Sequence, residues 1–546
     1  MTNFRNYLFG SALCGSLLLS LGLSAQTMPA PQADLPKNWH LMDLKADGYY
    51  GISLNNDYQF LKGKKSKTVL IATIDSGIDT TQTDLKSILW VNPKEIPGNG
   101  IDDDHNGYVD DVHGWDFLGG PGGKVDYTET TEEVREYNRL KPKYETLTAA
   151  PAGGEKEYAY WLKVKTTHDA TVGKSSAELQ QVSPMINGLM VTSGYIKREL
   201  KLSSSATFTK ADVEKIPVSS NDTITQSKGL WLSMFAQING DNAKVMKDVG
   251  DYIAKLNNDV NPDLTSRKTI VGDNPDVQDG KPYGNNILKM PDASHGTGVA
   301  GLMSAVRGNG YGIDGVADNV RIMAIKAVPN GDEYDKDIAN AIRYAVDNGA
   351  KVVNMSFGKK ISPHKDWVDA AFKYAASKDV LLVMASGNDN QDVDVTPSFP
   401  NDTFADGSGT DADNVISVGA SSAKPDENLA ATFTNYGKKN VDVFAPGVKV
   451  TSIDKDAETM TEDGTSFSSP ITAGIAALLL EYYPTLSAKQ LKQVILASAT
   501  PLTGTMVFKP GSKTDKVDFT TLSKTGGIVN AYKAVQLASK LKGERK

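Results

Sequence analysis

Apolar residues along this chain fall into two textures. In the first, strand-like runs rich in apolar residues recur at 69–74, 320–328, 351–356, 380–386, 415–420 and 441–445, several of them ending in small or polar residues. Runs of this length without alternation predict parallel strands buried on both faces. Segments with helical spacing fall between several of them, at 336–348 and 364–377, and two more follow the last, at 468–483 and 488–497. Strand–helix alternation of this kind predicts a three-layer α/β/α sandwich around a mainly parallel sheet. The stretch 471–480 is apolar nearly all round, which predicts a helix buried in the domain centre. Pro470 fits such a helix in its first turn, and that places Ser466 at or just before the N-terminus.

The second texture spans 124–285. Glu, Lys, Tyr and Leu recur with helical spacing at 131–140, 155–164, 177–202 and 228–256, separated by Gly, Pro and Ser breaks. This predicts a mainly helical insertion, with His168 as an ordinary surface residue. The remainder divides into an N-terminal segment (1–25), an arm (26–67) and one domain in two pieces (68–123 and 286–540). With 546 residues, the chain exceeds what one core usually holds.

Composition narrows the function classes. The net charge of −8 gives no footprint for nucleic acid or an anionic membrane. The single cysteine, Cys14, excludes an intrachain disulfide and leaves no thiolate chemistry to the folded domain. Arg5, the apolar run 7–23 and Ser24-Ala25-Gln26 predict an export signal cleaved after Ala25, with an uncleaved anchor as the alternative. No later stretch is apolar enough to span a bilayer, so the mature chain is expected outside the cytoplasm: periplasmic, cell-surface or secreted.

Five stretches carry candidate chemistry. Asp102, Asp104 and Asn106 fall at loop positions 1, 3 and 5, followed by Gly107, the Tyr108 carbonyl and Asp110 at 6, 7 and 9. This is the oxygen spacing of an EF-hand loop and predicts Ca2+. His113 stands where the closing Glu is expected, and a solvated acidic turn is the alternative. Asp75 ends the first strand run. His295 opens a helix of small residues. Asn388 lies just past the strand end 383–386, while 353–358 ends another strand in small residues where an extended peptide could pair.

The motifs Ile74-Asp75-Ser76-Gly77, His295-Gly296-Thr297-Gly298, Ala385-Ser386-Gly387-Asn388, Ala445-Pro446-Gly447 and Gly464-Thr465-Ser466-Phe467-Ser468-Ser469-Pro470 together resemble the subtilisin-like serine peptidases, the subtilases. The chain order Asp, His, Ser agrees. The resemblance covers about 69–120 and 290–535 and not the insertion. It implies Ser466 as nucleophile, His295 as general base, Asp75 as its orienting carboxylate, and the Asn388 amide with the Ser466 N–H as oxyanion donors. Ser356, Phe357, Gly358, Ala385, Ser386 and Gly387 would wall an open apolar pocket that accepts large hydrophobic side chains. Phe467 stands where the family usually has Met, and Gln82-Thr83-Asp84-Leu85 where it often has His-Pro-Asp-Leu. The expected function is an exported serine endopeptidase acting on proteins or peptides through an acyl-enzyme. The rivals are a binding protein that kept the fold without turnover, and an acyl transferase or peptide ligase on the same residues. An esterase of the α/β-hydrolase type is disfavoured, because the second Gly of Gly-x-Ser-x-Gly is missing. The insertion is expected to restrict access or recruit protein substrates.

Overall fold

A computed structural model describes residues 35–217, 220–236, 238, 240–290 and 293–545. The expected export signal and Cys14 lie outside the described residues. The chain divides into two compact units, Glu129–Leu264 and the residues on either side of it. The composition change expected at 124–285 is therefore wider than the smaller unit: 124–128 and 265–285 pack with the larger one.

In the larger unit the apolar runs form one nine-stranded sheet: β1 (Val69–Asp75), β2 (Gly114–Asp116), β3 (Val320–Lys326), β4 (Val352–Met355), β5 (Leu381–Ala385), β6 (Val415–Ser421), β7 (Val443–Pro446), β8 (Thr500–Pro501) and β9 (Gly527–Ile528). The order is β8-β9-β7-β6-β5-β4-β1-β3-β2, parallel except for the β8–β9 pair. Helices cover both faces: α1 (Ser294–Ser304), α4 (Thr465–Tyr482) and α5 (Ala488–Ser498) on one, α2 (Asp335–Asp347) and α3 (Lys365–Ser377) on the other. The three-layer α/β/α fold read from the alternation is the observed one.

Side-chain alternation then decides which face carries the chemistry. Along β1, Val69 and Ile71 enter the core beneath α1 and α4, whereas Ala72 and Ile74 enter the opposite core. By the two-residue period Asp75 points toward α1 and α4, at the carboxyl end of the sheet. The arm joins the same core: Trp39, Ile52 and Leu54 are fully buried there, and the Trp39 indole donates to the Lys449 carbonyl at 3.0 Å.

The smaller unit is helical and differs from the sequence expectation in one respect. The segments expected at 155–164 and 177–202 are one helix, Glu155–Glu199, running through Gly173 and Pro184. An interior proline costs about 3 kcal/mol in a helix. The cost is offset because Val182, Leu189 and Ile196 bury one stripe of this helix against Trp231, Val245 and Val249 of the helices Asp222–Phe235 and Asn242–Val260. His168 is not an ordinary surface residue: its ring stacks on Tyr137 with centroids 3.6 Å apart. No helix among the described residues is long and apolar enough to cross a membrane.

Candidate active site

Three turns converge above the carboxyl end of the sheet. Asp75 is buried, and its Oδ1 accepts from the Ser76 N–H at 2.8 Å and lies 2.7 Å from His295 Nδ1. The approach needs glycine at 296. A Cβ there would come within 2.0 Å of the Gly77 carbonyl and 3.2 Å of Asp75 Oδ1, so any side chain would push α1 off the strand end.

The structure corrects the placement of Pro470. Helix α4 begins at Thr465 with Gly464 as N-cap, so Pro470 lies in the second turn. An interior proline leaves the carbonyl four residues back without its donor. That carbonyl belongs to Ser466, and the Ser356 hydroxyl donates to it at 2.9 Å instead. The Ser356 oxygen in turn accepts from Asn354 Nδ2 at 2.9 Å, and Asn354 Oδ1 accepts from the Ser469 hydroxyl at 2.7 Å. Ser468 donates to the Ala445 carbonyl at 3.0 Å. The hydroxyls of Ser468 and Ser469 are thus spent in holding the helix start to the ends of β4 and β7. Ser466 is the partly exposed member, and its Oγ reaches the Ser356 carbonyl at 3.2 Å. Phe467 is buried and sets its ring at 88° to that of His295, centroids 6.3 Å apart.

Asn388 faces the same opening. Its Oδ1 accepts from both the N–H and the hydroxyl of Thr465, each at 2.9 Å, and this fixes the amide with Nδ2 turned away from Thr465. A single point marks the consequence. The position a Cβ on Gly464 would take is 3.6 Å from Ser466 N and 3.7 Å from Asn388 Nδ2. Ser466 N lies in the first turn of α4, where N–H groups have no partner within the helix. The Ser466 nitrogen and Asn388 Nδ2 therefore border one small space, and the same point lies 3.9 Å from Ser466 Cβ. The loop that carries Asn388 is held by Asn435, fully buried, whose Nδ2 donates to Ser386 and whose Oδ1 accepts from Asp389 and Gln391. Asn435 went unread in the sequence, because its spacing to Asn388 follows no local rule. Gly387 has a φ of +104°, and a Cβ there would meet Asn435 Nδ2 at 2.3 Å.

Electrostatics favour a charged imidazole. Burial works to lower the His295 pKa, but the charge of Asp75 and its hydrogen bond outweigh it and raise the value above 6.5. The stability of the pair is complete below pH 6.5 and is lost as pH rises through the raised folded value. A base must be neutral, so turnover follows the opposite sign. The acid limb of a kcat/KM pH profile is expected above pH 6.5, with rate falling as pH drops through it; a limb below pH 6 would contradict the geometry.

Of the expected substrate-contacting residues, Ala385 and Ser386 line a cavity of about 250 Å³ beside Asn388. Gly358 borders the same region, since a Cβ there would lie 3.6 Å from Ser398 Oγ. The Ser356 hydroxyl is engaged with Ser466 as described.

The acidic loop is organised differently from the spacing reading. The Asp102 and Asp104 carboxylates come together with Glu95, their ligand atoms within 4.8 Å of one another. Asp110 turns elsewhere and accepts from the N–H groups of Gly98, Asn99 and Gly100. Asn106 Oδ1 accepts from the Tyr108 N–H at 2.7 Å. Glu95 is 7% exposed, and its Oε1 takes the N–H groups of Asp103 and Asp104. Its Oε2 is buried without a hydrogen-bond partner among the described residues.

Comparison with known proteins points the same way. The model of the subtilase family matches residues 66–526. The chain is 37% identical over 222 residues to a thermophilic serine proteinase of Bacillus sp. (strain AK1), a match covering 40% of this chain and 50% of that one. It is 35% identical over 220 residues to Subtilisin DY of Bacillus licheniformis, covering 40% and 74%. Among solved structures, it matches a cold-adapted subtilisin-like serine proteinase at 27% identity and a TM-score of 0.33, covering 41% of this chain and 73% of that one. The match therefore spans half the length of the first of these relatives.

Proposed function

The chain belongs to the subtilase family, and from that premise we propose that it is an exported serine endopeptidase that cleaves proteins or peptides through an acyl-enzyme. The observation that carries this reading is the 2.7 Å contact between His295 Nδ1 and Asp75 Oδ1, at the opening that also holds Ser466 and Asn388. Ser466 Oγ attacks the scissile carbonyl and gives its proton to His295. Asp75 holds the ring with Nδ1 protonated and stabilises the imidazolium. The tetrahedral oxyanion forms between the Ser466 N–H and Asn388 Nδ2, which donate to it as the charge develops. His295 then protonates the leaving amine, and water, deprotonated by the same imidazole, releases the acyl group. Substrate lies extended along the ends of β4 and β5, around 356–358 and 385–387.

Two measurements test this together. A fluorophosphonate probe should label Ser466, and mass spectrometry should find internal cuts in protein substrates incubated with the purified chain. Labelling at another residue, or none with folded protein, would sink the reading.

The same family reading implies Ca2+, and the acidic loop fits it. Glu95, Asp102 and Asp104 supply hard carboxylate oxygens, and a buried carboxylate oxygen with no donor is the group a cation satisfies. Asp102 and Asp104 from the spacing reading remain as ligands and Glu95 joins them. The Asp110 carboxylate serves the turn instead. Ca2+ there would neutralise clustered charge and brace the loop after β1, and no chemical step needs it. Chelation with EDTA is expected to lower the thermal midpoint by about 5–10 °C, the size of a few kcal/mol of ligand-linked stability. Glu95→Gln should remove that calcium-dependent difference, and equal melting with and without EDTA would count against the site.

A further inference from the structure

We infer that the cavity beside Asn388 selects tyrosine over phenylalanine on the acyl side of the cut bond, an inference that rests on the peptidase reading above. At about 250 Å³ the cavity is below the roughly 300–1,000 Å³ of sites for whole ligands and suits one large side chain. Its near end is Ala385 and Ser386, immediately before Gly387-Asn388. Its walls are apolar, with Met384, Val393 and Phe399.

Part of the lining is polar. Ser417 pairs in register with Met384, one row further back along the sheet than the Ala385–Val418 pair, and Asn440 precedes β7. Both line the cavity together with Thr403 and Lys365. The charges present are already engaged. Lys365 Nζ donates to Asp369 Oδ1 at 2.5 Å, to the Thr403 carbonyl at 2.7 Å and to the Asn401 carbonyl at 3.5 Å. Asp394 accepts from the N–H groups of Lys439 and Asn440. Neither is available as the main partner of a charged substrate side chain.

Two groups have capacity left. Asn440 donates through Nδ2 to the Val393 carbonyl at 3.2 Å, which fixes its amide, and its Oδ1 receives only a 3.5 Å contact from Thr403 Oγ1. Ser417 is 3% exposed, and its hydroxyl has no partner among the described residues. One acceptor and one hydroxyl on the lining of this cavity call for a side chain that donates once and accepts once. A phenol does both. Phenylalanine would displace water from these groups and return no hydrogen bond.

Four chromogenic peptides that differ only at the residue before the cut, carrying Tyr, Phe, Leu or Lys, would read the preference as kcat/KM with the full chain. Tyr should exceed Phe about fivefold or more, the effect of one or two recovered hydrogen bonds. In Asn440→Leu and in Ser417→Ala the Tyr/Phe ratio should fall toward one, and having two variants covers the failure of either to fold. Equal cutting of Tyr and Phe by the unaltered chain, a ratio unmoved in both variants, or a preference for Lys would overturn the inference while leaving the peptidase reading standing. Absence of any cut together with absence of a fluorophosphonate adduct would remove both.

Discussion

Replacing Ser466 with alanine will lower kcat by about a millionfold, to the residual rate that oriented binding and the oxyanion donors alone sustain. The fold should hardly register the change. Ser466 is partly exposed in the first turn of α4, and its side chain makes one 3.2 Å bond, to the Ser356 carbonyl. Alanine is the better helix former and leaves behind no fully buried donor. The unfolding free energy should therefore move by no more than about 1 kcal/mol. Stopped-assay peptide turnover beside a thermal melt separates the two quantities. Residual activity within a hundredfold of the unaltered chain would mean that Ser466 is not the nucleophile.

Asp75→Asn should cost about 10⁴ in kcat. The geometry survives this substitution, since an amide oxygen can still accept from the Ser76 N–H that Asp75 Oδ1 now takes at 2.8 Å. Lost is the negative charge that raises the His295 pKa and supports the imidazolium in the transition state. Two readouts are expected to move together: the fall in kcat and a shift of the acid limb to lower pH, because the imidazole binds its proton less tightly beside a neutral neighbour. A loss of rate with an unmoved limb would point to a purely steric effect.

Much of the candidate site was legible because Asp75, His295 and Asn388 sit beside glycines forced by close contact, as Gly296 is by the Gly77 carbonyl and Asp75, whereas Gly464 before Ser466 has room for a Cβ. The strands were legible because both faces are buried, which leaves no ambiguity of period. Reading failed where tertiary partners override local rules. Pro470 reads as a first-turn residue until Ser356, more than a hundred residues earlier, supplies the donor it lacks. The helix Glu155–Glu199 passes through Gly173 and Pro184 because a buried stripe holds it. Glu95 escaped notice because it precedes the acidic loop and belongs to no periodic spacing. Asn435 escaped it because its hydrogen bonds serve a loop far from it in sequence.

The bond from Ser356 to the Ser466 carbonyl has a consequence for fidelity. Ser466, the proposed nucleophile, takes its bearings from the rim of the sheet, the same rim along which a peptide would align on that reading, and only in part from its own helix. A chain threaded one notch askew would tug that rim and carry the hydroxyl off its line of attack.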